Sequence, residues 1–105
     1  MKFIETPVFT KDVRDLLSDE DYRGLQLALV LRPEQGNLIS GSAGLRKIRW
    51  RVKGRGKRGS VRVIYYWITD ENTIYMLLLY EKSSQADLTP AQIKTLRRLV
   101  REELE

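Results

Sequence analysis

The chain has 105 residues, of which 42% are apolar and 31% are charged. This size suits a single domain spanning residues 1–105 and is too small for two domains. The sequence contains no cysteine and no histidine, which excludes disulfide scaffolds, zinc–thiolate sites and histidine acid/base catalysis. We expect no metal and no cofactor. The sequence has neither a membrane-length apolar run nor a signal-peptide pattern, so we expect a cytoplasmic protein with no membrane attachment.

The N-terminal part of the chain is predicted to form a helical hairpin. Lys2 to Glu5 is a candidate for a short first strand, and Thr6-Pro7 then supplies an N-cap followed by a first-turn proline. Ser18 precedes three acidic residues, which the helix dipole favours in a first turn, so it predicts the start of a second helix. This helix should end near Arg32, because Pro33 and several glycines follow.

The C-terminal part is predicted to contain an antiparallel sheet followed by a helix. Three apolar-rich runs, Leu45 to Val52, Val61 to Thr69 and Thr73 to Glu81, are separated by turn residues. Thr89-Pro90-Ala91-Gln92 is a capping box that begins a final helix. The sequence therefore predicts an α+β fold, in which an N-terminal helical hairpin packs on a small antiparallel sheet of about four strands with a C-terminal helix.

The positive charge is concentrated in one stretch of the chain. The formal charge is +5, from 19 basic and 14 acidic side chains, yet no carboxylate lies between Gln35 and Thr69. That stretch holds nine of the 19 cations, which leaves ten against 14 carboxylates elsewhere. The nine are Arg46, Lys47, Arg49, Arg51, Lys53, Arg55, Lys57, Arg58 and Arg62. Such a field attracts polyanions such as RNA, DNA or an acidic protein segment; the alternative is a solvated basic hairpin.

Strand alternation collects part of this charge on one face of the predicted first hairpin. The alternating cations are Lys47, Arg49 and Arg51. Pairing Val52 with Val61 keeps the apolar layer on the other face unbroken, so the hydrophobic pattern favours this register. It sets Arg51 opposite Arg62 and extends the cationic face to the next strand.

The last predicted strand adds a carboxylate to the same face. Pairing it with its neighbour across a tight turn sets Glu81 opposite Arg62, and Lys82 follows at the end of the strand. Glu81 then either forms an ion pair with Arg62 or takes part in proton transfer. Tyr66 lies beside the cations, where it either stacks on an RNA base or packs in the core.

A glycine-rich motif joins the first two strands of this sheet. Gly54 to Gly59 matches the dinucleotide-binding fingerprint and, with the residues after it, the kinase glycine loop. Both interpretations require a context that is missing, because these glycines connect two strands and the chain is too short for a kinase. We expect the amides and cations of this loop to wrap a phosphate backbone.

Four blocks of sequence, in this order, together resemble the RelE/ParE superfamily of type II toxins, most closely its HigB-type branch. The blocks are Gly44-Leu45-Arg46-Lys47-Ile48-Arg49, Gly54-Arg55-Gly56-Lys57-Arg58-Gly59, Arg62-Val63-Ile64-Tyr65-Tyr66 and Asp87-Leu88-Thr89. The resemblance implies a RelE-like fold and a bacterial endoribonuclease that cuts mRNA in the A site of the 30S ribosomal subunit without a metal. It also implies a cognate antitoxin of HigA type with a helix-turn-helix, through which alone the pair contacts operator DNA.

The same resemblance assigns candidate catalytic roles. The basic pair on the family's second strand corresponds to Lys47 and Arg49, the arginine of the next strand to Arg62, and the cation after the last strand to Lys82. A tyrosine that part of the family uses near the C-terminus has no counterpart, because no tyrosine follows the last strand. Chemically, the two arginines suit stabilisation of the phosphoryl group. Lys47, Lys82 or Glu81 would then transfer protons.

A second group of residues is expected to bind RNA and the ribosome. The group comprises Arg46, Arg51, Lys53, Arg55, Lys57, Arg58 and Tyr66. Two alternative functions remain open at this point. One is a ParE-like toxin that inhibits DNA gyrase without cutting RNA, and the other is a non-enzymatic RNA-binding module.

Overall fold

The computed structural model of the protein describes residues 1–53 and 59–104. In chain order they form β1 (Lys2–Glu5), α1 (Pro7–Leu16), α2 (Asp19–Leu31), β2 (Asn37–Leu38), β3 (Arg46–Val52), β4 (Gly59–Ile68), a 3₁₀ turn (Thr69–Glu71), β5 (Thr73–Glu81) and α3 (Pro90–Leu104). The strands of these described residues make one five-stranded sheet in the order β1-β5-β4-β3-β2. The α+β architecture is therefore as predicted.

The sheet differs from the predicted antiparallel, four-stranded arrangement in two respects. β1 pairs parallel with β5, from Lys2 beside Thr73 to Glu5 beside Met76, so the sheet is mixed. A parallel pair needs a long crossover, and here the whole chain between the two strands supplies it. β2 is an additional short strand that pairs with β3. No strand was predicted between α2 and β3, since two residues are too few to show a period.

The helices begin where the predicted caps place them. The side chains of Thr6 and Ser18 each accept a hydrogen bond from a first-turn N–H group, at 3.1 and 3.0 Å. At α3, the N–H of Gln92 donates to Thr89 Oγ1 at 3.1 Å, and the N–H of Thr89 donates to Gln92 Oε1 at 3.0 Å. These bonds satisfy amides that an uncapped helix leaves without partners. None of the helices in the described part of the chain is both long and apolar enough to cross a bilayer.

Each face of the sheet has its own apolar core. The core on the side of α1 and α2 includes Phe9, Leu25, Leu29, Val61, Val63, Tyr65, Ile74, Met76 and Leu79. The core on the side of α3 includes Leu45, Ile64, Ile68, Tyr75, Leu77, Tyr80, Leu96 and Val100. β4 and β5 are consequently buried on both sides. This accounts for their nearly continuous apolar sequences.

The register of the β3–β4 hairpin is two residues away from the predicted one. Val52 lies opposite Gly59, and Arg49 lies opposite Arg62. The predicted pairing of Arg51 with Arg62 is wrong, although the face of each side chain is correct. A shift of two residues leaves every side chain on its own face, so alternation alone does not distinguish the two registers.

A β-bulge in β5 changes the pairing with β4. Ile64 lies opposite Leu78, whereas the next residue, Tyr65, lies opposite Met76. Leu77 is therefore an extra residue on β5 with no opposing residue on β4. A bulge of this kind moves all the following side chains of its strand to the other face of the sheet.

The bulge overturns the predicted position of Glu81. Beyond it, Tyr80 lies opposite Arg62 and Glu81 lies opposite Val61. Opposed residues of an antiparallel pair share a face, so Glu81 lies on the side of α1 and α2 and Tyr80 lies on the side of Arg62. The predicted pairing of Glu81 with Arg62 is wrong because the apolar run of β5 contains no alternation from which a bulge is visible.

Thr6 connects the start of α1 to this bulge. Its hydroxyl donates to the carbonyl oxygen of Leu77 at 2.8 Å and accepts from the N–H of Phe9 at 3.1 Å. Its backbone N–H donates to the carbonyl oxygen of Met76 at 3.1 Å. Only 3% of Thr6 is exposed. One buried hydroxyl thus caps a helix and satisfies the carbonyl of the extra strand residue.

Replacing Thr6 tests this connection. Thr6→Val keeps the side-chain shape and removes the hydroxyl, which leaves a helix amide and a buried carbonyl without partners. We expect the free energy of unfolding to fall by roughly 2–4 kcal/mol. Urea denaturation followed by circular dichroism measures this loss. Thr6→Ser keeps the hydroxyl and is the control; equal losses in the two variants would contradict the role given to the hydroxyl.

Candidate functional site

The sheet carries a cationic face, formed by Lys47, Arg49, Arg51 and Arg62. These side chains come from alternate positions on the adjacent strands β3 and β4, so all four lie on the same side. α3 packs on the apolar part of that side. Arg49 and Arg51 are exposed, and Lys47 and Arg62 are half-buried. The cationic face is therefore an open surface beside α3.

Two arginines lie side by side at its centre. Arg49 and Arg62 are directly opposite each other on β3 and β4. Arg49 Nε donates to Ser60 Oγ at 3.0 Å, and Arg62 Nη1 donates to the same oxygen at 2.9 Å. Ser60 thereby fixes the two guanidinium groups relative to each other. We call these three residues the arginine fork.

The arginine fork carries uncompensated charge. Like charges directly opposite each other in a sheet are destabilising. The ion pairs among residues 1–53 and 59–104 join Arg32 to Glu34 and Lys47 to Asp87, so neither arginine of the fork has a carboxylate partner there. Each guanidinium is a planar group with five N–H donors. The fork is thus suited to binding an anion with several oxygens.

Lys47 differs from the fork because it has an acidic partner. Its Nζ lies 3.3 Å from Oδ1 of Asp87, in the segment between β5 and α3. The same carboxylate oxygen accepts a hydrogen bond from the N–H of Leu88 at 2.8 Å. The Leu88 N–H and, after it, Lys47 lower the pKa of Asp87. An anion that approaches Lys47 therefore competes with Asp87.

Tyr80 is the neutral member of this face. It lies opposite Arg62 and is only 6% exposed. Its hydroxyl is buried and has no hydrogen-bond partner. Burial, followed by the charge of Asp87, raises the pKa of Tyr80, and the charge of Arg62 opposes this shift. The phenol is consequently protonated at neutral pH.

Several predicted site residues are not among the four cations of this face. Arg46 is on the opposite side of the sheet, where its guanidinium donates to the carbonyl oxygens of Glu34 and Gly36, both at 2.8 Å. This contact ties the segment after α2 to β3. Lys53 and Lys82 are exposed beyond the ends of β3 and β5. Arg55, Lys57 and Arg58 lie outside the described residues.

Tyr66 lies on the side of the cationic face but further along β4 from the arginine fork. Its half-buried ring packs against Gly44, where an added Cβ would lie 2.9 Å from the ring. The ring also forms one wall of a cavity of about 180 Å³ that Arg97 and Arg101 border. The ring therefore packs against the core on the side of α3, and its stacking on an RNA base stays a prediction.

The sequence interpretation missed three polar residues of this site. They are Ser60 and Tyr80, to which the sequence assigned no role, and Asp87, which entered only as part of a sequence block. A signal for Tyr80 was present, because a tyrosine inside an apolar strand needs a partner for its hydroxyl. That requirement does not by itself identify the face on which the hydroxyl lies.

Comparison with known proteins identifies the fold. No family model matches the chain. The structure is similar to that of a double arginine-to-alanine mutant of the E. coli toxin RelE in the free state, with a TM-score of 0.57 and 13% sequence identity. The match covers 81% of this chain and 86% of the RelE chain. The fold is therefore RelE-like, as the sequence resemblance implied.

The contact between Lys47 and Asp87 predicts a pH effect. The ordinary pKa of an aspartate is 3.8, and that of Asp87 lies below it. The ionised carboxylate therefore stabilises the fold above that value, and this stabilisation is lost as the pH falls through the lowered pKa. Lys47→Met removes one cause of the shift, so the pKa of Asp87 should rise towards 3.8 without reaching it, because the Leu88 N–H is retained.

A carbon-detected NMR titration of the Asp87 carboxyl group measures this pKa directly. Arg51→Met removes a cation from the same face and is the matched control. An Asp87 midpoint that is the same in wild type and Lys47→Met would show that the lysine does not hold the carboxylate in solution.

Proposed function

We propose that this protein is the toxin of a type II toxin–antitoxin system and acts as a ribosome-dependent, metal-independent endoribonuclease that cuts mRNA in the A site. The RelE-like fold supports the toxin class. The observation that carries the nuclease proposal is the arginine fork, in which Arg49 and Arg62 share Ser60 Oγ and have no carboxylate partner among the described residues. A ParE-like gyrase inhibitor has no need of such a fork.

The chemistry of RNA cleavage matches this arrangement. When the 2′-oxygen attacks the adjacent phosphorus, the phosphorane gains negative charge on its non-bridging oxygens, and the bond to the 5′-oxygen then breaks. Two fixed guanidinium groups stabilise that charge, and their stabilisation grows as the charge develops. Ser60 restrains both groups before the substrate arrives, which reduces the reorganisation that the reaction requires.

Two proton transfers complete the reaction. The 2′-hydroxyl loses a proton and the leaving 5′-oxygen gains one. Lys47, on the cationic face, and Lys82, in the exposed segment after β5, are our candidates for these transfers. We do not include Glu81 among these candidates, because it lies on the other side of the sheet. The ribosome would supply orientation of the mRNA, which is worth several powers of ten in rate.

The exposed cations around the fork would guide the protein to RNA. Arg51 is exposed on the cationic face near the end of β3, and Lys53 is exposed just beyond that strand. Such charges contribute mainly to sequence-independent phosphate binding and to association rate. By its resemblance to the HigB-type branch, the protein would be neutralised by a cognate HigA-type antitoxin with a helix-turn-helix, which would also carry the pair to operator DNA.

Replacing the fork arginines tests the nuclease proposal. We expect Arg49→Ala and Arg62→Ala each to lower the rate of mRNA cleavage on translating ribosomes by about 100-fold or more, the usual loss on removing one donor to a developing oxyanion. Primer extension on mRNA from a reconstituted translation reaction locates and quantifies the cuts. Arg14→Ala, an exposed arginine of α1, is the control and should cleave like wild type.

The same reaction distinguishes the two other functions. Intact mRNA together with lost DNA supercoiling activity of gyrase would support the ParE-like alternative. Intact mRNA with RNA binding that weakens steeply as salt increases would support a binding module. Cleavage that persists unchanged in both fork variants would remove the fork from the mechanism.

A further inference from the structure

Tyr80 has a polar group for which the free protein provides no partner. Two buried side-chain polar atoms in the described part of the chain lack a hydrogen bond, the indole nitrogen of Trp67 and the hydroxyl of Tyr80. Such groups are rare, because burying a hydroxyl without a partner is unfavourable. A phenylalanine at position 80 would pack in the same apolar surroundings without this cost. We therefore expect the hydrogen-bond partner of this hydroxyl to come from a molecule that binds the protein.

The position of Tyr80 indicates what the missing partner is. The bulge at Leu77 directs Tyr80 to the cationic face, directly opposite Arg62. The charges of Arg62 and Asp87 both act on its phenol, so the phenol lies near both of these groups. A phosphate bound by the fork would bring acceptor oxygens to this same place.

We propose that the Tyr80 hydroxyl is a third donor of the phosphate site formed by Arg49 and Arg62, and that it donates a hydrogen bond to a non-bridging oxygen of the RNA phosphate. The proposal rests on the proposed function and names one more group that contacts the substrate. Burial raises the pKa of Tyr80 and so keeps the phenol in its donating form. The hydroxyl thus acts as a donor, and no proton transfer is assigned to it.

In this proposal the phosphate replaces Asp87 as the anionic partner of Lys47. Asp87 belongs to the segment between β5 and α3, its side chain is 70% exposed, and Lys47 ties it to the sheet. A phosphate that binds beside Lys47 competes for that cation and carries the same sign of charge as Asp87. The phosphate then takes the place of the carboxylate near the phenol. One of its oxygens is available to accept a hydrogen bond from the Tyr80 hydroxyl.

The binding test observes the tyrosine itself. The protein is labelled with ¹³C at the tyrosine ζ carbons, and the Tyr80 signal is assigned by its loss in Tyr80→Phe. Inorganic phosphate and a 2′-O-methyl hexanucleotide, which cannot be cleaved, are titrated in turn. We expect the Tyr80 signal to shift with each probe, with the same midpoint as the arginine side-chain signals of the fork, and to stay unchanged in Arg62→Ala.

The functional test compares two tyrosines of the same strand. Tyr75 lies on β5 on the same side of the sheet, is buried like Tyr80, and is influenced by Glu102 and Glu103 of α3 and not by the fork. Tyr80→Phe should weaken binding of the 2′-O-methyl hexanucleotide by about tenfold, the loss of one charge-assisted hydrogen bond. It should also lower the cleavage rate, whereas Tyr75→Phe should change neither.

A stability measurement separates this role from a structural one. Because the hydroxyl has no partner in the free protein, Tyr80→Phe should keep or raise the melting temperature while it weakens binding. A Tyr80 signal that does not respond while phosphate binds the fork, or a Tyr80→Phe variant that binds like Tyr75→Phe, would overturn the proposal. A responding Tyr80 signal in a protein that leaves mRNA intact would support the phosphate site and overturn the nuclease function.

Discussion

One extra residue in β5 determines the chemistry of the cationic face. If the pairing that begins with Thr73 opposite Ile68 continued without the bulge, Tyr80 would lie opposite Val61 and Glu81 opposite Ser60. A carboxylate would then share a face with Arg49 and Arg62, and an ion pair would occupy the anion site. The bulge exchanges that carboxylate for a neutral hydroxyl. Bulges commonly redirect a side chain next to a functional site in this way.

The arrangement concentrates unfavourable features in one place. Arg49 and Arg62 repel each other, and the hydroxyl of Tyr80 is buried without a partner. Both features persist because the surrounding structure holds them: β4 and β5 are covered on both faces, and Thr6 fixes the bulge through the carbonyl of Leu77. Local conflict supported by a well-packed scaffold is typical of a functional site.

The sequence predicted those elements that leave a repeated or local signal. The caps at Thr6, Ser18 and Thr89 were correct, because a cap involves residues a few positions apart. Alternation placed Lys47, Arg49 and Arg62 on one face, because that property survives a shift of two residues in register. The two-residue β2 and the bulge at Leu77 left no periodic signal, and the position of Glu81 was wrong for that reason. Asp87 reaches Lys47 through a contact 40 residues apart in the chain, which no local pattern encodes.

The parallel pairing of β1 with β5 sets an order on folding during synthesis. β1 occupies residues Lys2–Glu5, but its partner strand ends at Glu81. β1 therefore leaves the ribosome well before its partner strand has been made, and contacts of such long sequence separation form slowly. Until residue 81 has been added, a nascent chain has neither a complete sheet nor Tyr80 beside the fork. A ribosome-bound chain that has not reached that residue therefore lacks the finished cationic face.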